Sequence, residues 1–342
     1  MSTLAALVLC LFQGAASKPQ SRPQSRPDPA RATTAGVEWL LAHREADGHW
    51  RGGALGSRAP ADTMATGLAV LALLATGRPH QGAVADAVQW LRAQQGTDGF
   101  IGSPAATLAT AGHAVATLAL SEVSVLGHTE TAAEAAAKAV QYLLDARARA
   151  AIWTRDPRGG PEDQWALPWA VLALRSARDA TIPVAPDALA EIQQWLEAHT
   201  EPSGAMPVAA GAAEVVTTPA LRAAGGLTCR IFLGQPPGGE LMTQAADLVL
   251  TATGPLTAGA PLDLPFLYLG TAALLQIGGP RWERWEALVL PPLLAGQRTG
   301  PDAGSWDPPS PDRAALGRTG ATALGVLSGS MFARMARLRG RR

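Results

Sequence analysis

Val84-Ala85-Asp86-Ala87-Val88-Gln89-Trp90-Leu91-Arg92-Ala93-Gln94-Gln95-Gly96-Thr97-Asp98-Gly99-Phe100 is the stretch on which the fold turns. Val84, Ala87, Val88 and Leu91 recur at spacings of three and four, so they form one stripe of a helix, with Asp86, Gln89, Arg92 and Gln95 opposite. Asp98-Gly99 then marks a turn. The pattern repeats along the chain. Trp39, Trp90, Tyr142 and Trp195 follow one another at separations of 51, 52 and 53 residues, and each is followed by Leu. Three of these stretches run on to a Gly turn: Asp47-Gly48, Asp98-Gly99 and Ser203-Gly204. Two later units are more degenerate, one around Leu248 and one ending Gln297…Gly304-Ser305-Trp306. A period near fifty residues is the mark of one supersecondary unit used again and again.

Between the amphipathic stretches lie helices of a second kind. Thr66-Gly67-Leu68-Ala69-Val70-Leu71-Ala72-Leu73-Leu74 is apolar nearly all round, and such a helix must be covered on every side. The amphipathic kind is predicted near 34–46, 83–95, 132–147, 186–199, 239–252 and 281–297. The apolar kind is predicted near 62–76, 107–124, 164–178, 218–234, 264–277 and 318–335. Alternating exposed and buried helices can stack as an open solenoid or close as a ring. Six pairs is the number that closes, so the expected fold is all-α: an (α/α)6 toroid of six outer and six inner helices over 33–338, with a basic tail at 339–342.

The chain has 342 residues, 47% of them apolar and 16% charged, which is ample for a large core. Its formal net charge is zero, so it carries no nucleic-acid footprint. Arg334, Arg337, Arg339, Arg341 and Arg342 cluster at the C-terminus, where a solvated helix end is the plain reading. Leu4 to Phe12 form a short apolar run, followed by Gly14-Ala15-Ala16-Ser17. That reads as a signal peptide over 1–17 and an exported protein, periplasmic or extracellular. The run is too short to cross a bilayer, and no transmembrane helix is expected in the mature chain. A Pro-rich polar tract follows and reads as a linker over 18–32. Cleavage would remove Cys10 and leave Cys229 alone, so no disulfide is expected.

Trp90-Leu91-x-x-x-Gln95 to Asp98-Gly99-Phe100, and Leu293-x-x-x-Gln297 to Gly304-Ser305-Trp306, resemble the QW repeats of squalene cyclases and protein prenyltransferases. Trp282-Glu283-Arg284-Trp285 through Gly317-Arg318-Thr319-Gly320-Ala321-Thr322-Ala323-Leu324 resembles the C-terminal repeat of the same terpenoid-cyclase-like family. The resemblance implies an α/α toroid, and a structural role for Gln95, Gln297 and Trp306 in tying one helix pair to the next. Arg44 and Arg147 stand where the repeat has its Gln, a departure that puts those two ties in question. The activities of the family need more than the fold. The Asp-x-Asp-Asp run of its alkene-protonating members does not occur in this sequence. Neither does the Cys-Gly-Glu-Gln of thioester domains. The zinc set of the prenyltransferases is broken, because Leu227 stands two residues before Cys229 where the family has Asp. Cys229 is better read as a small buried apolar residue. No metal and no cofactor are expected.

The inner helices of such a ring run parallel, so their N-termini gather around one mouth and favour anions or carboxylates there. Asp62, Asp163, Thr218 and Asp263 fall at those starts, where N-capping is the simplest role, with Pro219 at a first helical position. Arg222 and Arg318 are the candidates for anion contact at the rim. His113 lies on an inner helix, where a hydrogen-bonded core histidine weighs more than an acid–base group. Trp165 and Trp169 share a face at spacing four and either line or fill the lumen. Pro168 is expected to kink their helix. Tyr268 joins Phe232, Phe266 and Phe332 as the other aromatic side chains on inner helices. Two functions follow: a non-catalytic toroid receiving an apolar small molecule or peptide at its mouth or surface, or a divergent isoprenoid-processing enzyme. The sequence sets no oligomeric state.

Overall fold

The computed structural model describes residues 28–54, 58–77, 80–127, 130–148, 153, 157, 165–207, 218–253, 256, 261–308 and 315–339. The stretch read as a signal peptide, most of that read as a linker, Asp163 and the last three residues of the basic tail lie outside the described residues. Within them the chain is all-α, with twelve helices and no strand. The outer helices are α1 (Pro29–Ala42), α3 (Gln81–Ala93), α5 (Glu130–Ala148), α7 (Pro186–His199), α9 (Glu240–Ala252) and α11 (Gly279–Ala295). The inner helices are α2 (Asp62–Ala75), α4 (Ala109–Val125), α6 (Ala166–Asp179), α8 (Pro219–Phe232), α10 (Leu264–Ile277) and α12 (Gly317–Arg339). Each inner helix packs on the next, from α2 through α12 and back to α2, so the ring is closed.

Local sequence sets the helix starts. Asp28 caps α1 ahead of Pro29 at the first helical position, so the helix begins inside the tract read as linker. Thr218 caps α8 in the same way, accepting from the Leu221 N–H at 3.1 Å. Pro168 falls in the first turn of α6, which starts at Ala166, so it lacks the upstream carbonyl whose clash would produce the expected kink. At the far end Arg339, placed with the tail by sequence, is the last residue of α12 and pairs with Glu286 of α11 at 2.6 Å.

The outer helices are linked around the whole circle. Arg44 reaches from the end of α1 to Asp86 on α3 at 2.5 Å. Gln95 donates to Ala135 O of α5 at 2.9 Å and to Gly99 O in its own turn. Arg147 pairs with Glu191 of α7, and Arg281 of α11 makes a bidentate pair with Asp247 of α9. Gly204, after α7, packs on Ala245 of α9. Gln297 closes the circle, donating to Ala32 O of α1 and to Gly304 O, both at 2.8 Å. The two arginines in question therefore keep the tie and replace an amide bond with an ion pair.

A common turn joins outer to inner helices. Gly48, Gly99, Gly204 and Gly304 each hold φ near +90°, a region open to glycine. Two residues beyond three of these glycines, Trp50 and Trp306 donate backbone N–H bonds to Thr66 Oγ1 and Thr322 Oγ1, and Ile101 donates to His113 Nδ1. The repeat position of Trp306 is thus held in the second unit by Ile101, one residue past Phe100. The indoles of Trp50 and Trp306 bind back to Leu40 O and Leu293 O of the preceding outer helices. Trp153 does the same with Leu143 O. These tryptophans are structural.

Candidate functional site

At the N-terminal mouth of the inner helices, the predicted side chains are committed to the framework. The loops before α2 and α4 meet here, with Thr107 N–H donating to Ala59 O at 2.9 Å. Asp62 opens α2, but its Oδ1 accepts the Gly52 N–H at 2.8 Å and so holds the incoming loop instead of capping the helix. Its Oδ2 lies 3.9 Å from His49 Nε2. Asp263 caps α10 by accepting from Phe266 N–H at 3.2 Å. Arg222 is 8% exposed, and its Nη1 donates to Glu201 Oε1 at 2.6 Å and to Met206 O at 2.5 Å. Arg318 pairs with Asp307 at 2.6 Å, approaches Asp302 at 3.6 Å and donates to Ser305 Oγ at 3.2 Å. Each cation has its own acid, which offsets the attraction for an external anion.

His113 is fully buried and uses both ring nitrogens, Nδ1 to Ile101 N–H and Nε2 to Ala139 O of α5. Its ring stacks on Phe100 and meets Tyr142 edge-on. Burial drives its pKa down to about 4, so it stays neutral near pH 7. This is a satisfied core histidine standing where other units carry Thr66 and Thr322. Cys229 is fully buried in α8, and burial pushes its thiol up. Among the described residues, no cluster of His, Cys, Asp and Glu has a composition that could hold a metal.

The lumen is closed by aromatic side chains near the N-terminal ends of α6 and α10. Trp165 and Trp169 of α6 pack edge to face at 5.9 Å. Trp169 then stacks on Tyr268 of α10 with centroids 5.4 Å apart and planes only 4° from parallel. α6 and α10 are not neighbours in the ring, because α8 stands between them. The two rings can meet only by projecting across the lumen. The predicted pair therefore fills the lumen, and Tyr268 completes the plug.

Toward the C-terminal ends of the inner helices, the surface dips into a shallow depression that encloses only about 20 Å3, room for about one water. Phe232, Tyr268, Ala272, Leu275, Leu327 and Met331 give it an apolar wall, and Gln276 and Ser330 a polar edge. On the same side, Glu122 of α4 faces Ser176 and Asp179 of α6. It lies nine residues, or two and a half turns, beyond His113, whose ring faces the outer helix α5. Glu122 is 3% exposed, and its Oε2 has no hydrogen-bond partner among the described residues. Burial first, then the charge of Asp179, raise its pKa to about 7, while the Ser176 hydroxyl beside it favours the carboxylate. Ser176 lies seven residues past Trp169, so both occupy one face of α6. The Glu122 charge reaches Tyr268, where it adds to burial in pushing the phenol up. Sequence reasoning passed over Glu122. The available signal was a single acid in the otherwise uncharged run Ala114 to Val125.

No family model matches the sequence, and no curated protein matches it. Solved structures do resemble the fold. A variant of the type II terpene cyclase MstE from Scytonema, in complex with the product merosterolic acid A, aligns with a TM-score of 0.60 at 18% identity, over 90% of this chain and 97% of that one. An inactive variant of the α-1,6-mannanase GH76A of Salegentibacter sp. HEL1_6, in complex with α-1,6-mannotetrose, aligns at 0.63 and 13% identity, over 90% and 99%. A protein from Actinoplanes aligns at 0.53 and 19% identity, over 90% and 100%. The shared feature is the α/α toroid. At these identities the likeness concerns fold, and the two enzymes show how different the chemistry on one such fold can be.

Proposed function

We propose that this chain is an exported, non-catalytic toroid that binds an apolar small molecule in the depression at the C-terminal mouth of its inner helices. The observation that carries the reading is the contrast between the two mouths. At the N-terminal mouth, Asp62, Arg222, Asp263 and Arg318 are engaged by neighbouring backbone or opposite charges. At the C-terminal mouth, an apolar wall is open beneath an aromatic plug. A shallow apolar wall with a polar edge is a surface that an apolar ligand gains by covering. Export rests on the apolar run and small-residue stretch at the N-terminus. The isoprenoid-processing alternative needs an acid stronger than an ordinary carboxyl, and Glu122 is displaced the opposite way.

Titration with the neutral fluorescent probe N-phenyl-1-naphthylamine tests this reading. Saturable binding that Met331→Arg abolishes and Arg318→Gln leaves intact supports it. Binding lost in Arg318→Gln and kept in Met331→Arg would place the site at the other mouth and defeat it.

A further inference from the structure

We infer that the end of α12 docks on an anionic membrane surface, with Leu338 entering the bilayer and Arg334, Arg337 and Arg339 around it meeting lipid headgroups. α12 is 23 residues long, against 14 to 17 for the other inner helices. Its buried positions end at Ala333. The residues from there to Arg339 carry it about 9 Å further. Met331, Met335 and Leu338 recur at spacings of four and three, so they form one stripe of the helix. Met331 belongs to the wall of the depression, and Met335 is half-buried against the core. Leu338 is 49% exposed, and no other large apolar side chain among the described residues is exposed to that degree. An apolar track therefore runs from the depression to the tip of α12.

Charge selects the surface that covers this tip. Arg334 and Arg337 flank the stripe, and neither makes an ion pair among the described residues. Burial first, then the Arg337 charge, disfavours the Arg334 cation, a penalty that a negative surface relieves. Arg339 is matched to Glu286 of α11 at 2.6 Å. On the neighbouring helices, exposed Glu283 and Arg284 offset each other near the start of α11, as Asp28 and Arg31 do at the start of α1. The field at the tip is positive, and Arg341 and Arg342 follow in the sequence. Clustered arginines beside an apolar anchor fit an anionic bilayer, each cation near the surface strengthening binding about fivefold. The exposed leucine favours a bilayer over a soluble polyanion, which would leave it in water. Docking end-on brings the depression to the lipid face and does not require the depression to be occupied.

Co-sedimentation of the chain from Lys18 onward, which keeps all twelve described helices, tests the docking with two kinds of vesicle. One is phosphatidylcholine alone, the other phosphatidylcholine mixed with phosphatidylglycerol. Binding should be about tenfold or more tighter to the mixed vesicles, and salt should weaken it. Arg337→Glu should lower that affinity by about tenfold or more, and Leu338→Ser by about fivefold at unchanged charge. Both side chains are exposed, so the variants should fold. Arg92→Glu changes net charge equally from an exposed position at the end of α3, toward the opposite mouth, and should leave binding within about twofold. Equal affinity for the two vesicles, or equal loss in Arg92→Glu and Arg337→Glu, would overturn the docking. Undiminished binding in Leu338→Ser would overturn the bilayer as the occupant and point to a soluble polyanion. The neutral probe titration is made without vesicles, so failure of the docking leaves the proposed ligand site standing.

Discussion

Two buried ionisable side chains, His113 and Glu122, act on stability in opposite directions. His113 has its folded pKa lowered from 6.5 to about 4, so its stabilisation is present above 6.5 and is lost as pH falls toward 4. Glu122 has its folded pKa raised from 4.5 to about 7, so its stabilisation is present below 4.5 and is lost as pH rises toward 7. Between about 4.5 and 6.5 the two slopes cancel, each being about 1.4 kcal/mol per pH unit. Thermal melts across that window should therefore show His113→Thr relatively more stable on the acid side, and Glu122→Gln relatively more stable toward neutrality. Parallel profiles for wild type and both variants would contradict these assignments. The threonine is the informative replacement, since Thr66 and Thr322 accept the same turn N–H in other units. His113→Leu should cost about 1–3 kcal/mol more than His113→Thr, because it strands the Ile101 N–H. The weighting of His113 as a core residue was legible from its apolar neighbours. The partners of Arg318 were not, because Asp302 and Asp307 come from a turn whose folding brings them to the rim.

At the level of the elements, helix positions were legible to within a few residues, because a pattern of 3.6 residues shows directly which stripe is buried. The outer-helix ties were only half legible. Gln95 and Gln297 act as the repeat implies, whereas the arginine ties depend on acids one unit away, at Asp86 and Glu191. Being partly exposed ion pairs, Arg44–Asp86 and Arg147–Glu191 should each show a coupling energy below about 1 kcal/mol in double-mutant cycles. A coupling of several kcal/mol in either pair would contradict that. The closing turn should be less forgiving. Gly300 and Gly304 both hold positive φ, but a Cβ at Gly300 meets open space, while one at Gly304 overlaps the Ala35 carbonyl of α1. Gly300→Ala should cost about 1 kcal/mol of backbone strain. Gly304→Ala should cost clearly more, and equal melting temperatures for the two variants would count against tight closure at this point.

Across the whole molecule, the period of the sequence dictated a ring, and the ring dictated two mouths of different character. Sequence placed the interest at the N-terminal mouth, where helix dipoles converge. The folded chain engages the predicted charged side chains at that mouth, and the apolar depression lies toward the other end. This outcome depends on which long-range neighbours fill the lumen, above all Trp169 and Tyr268 meeting across α8, and periodicity carries no record of such contacts. The central claim, that the C-terminal mouth is the binding end, is tested most directly by amide hydrogen exchange with and without saturating N-phenyl-1-naphthylamine. The account predicts slowed exchange concentrated at 229–232, 273–277 and 327–331. Slowing concentrated instead at 62–64, 219–222, 264–266 and 318–321 would contradict it.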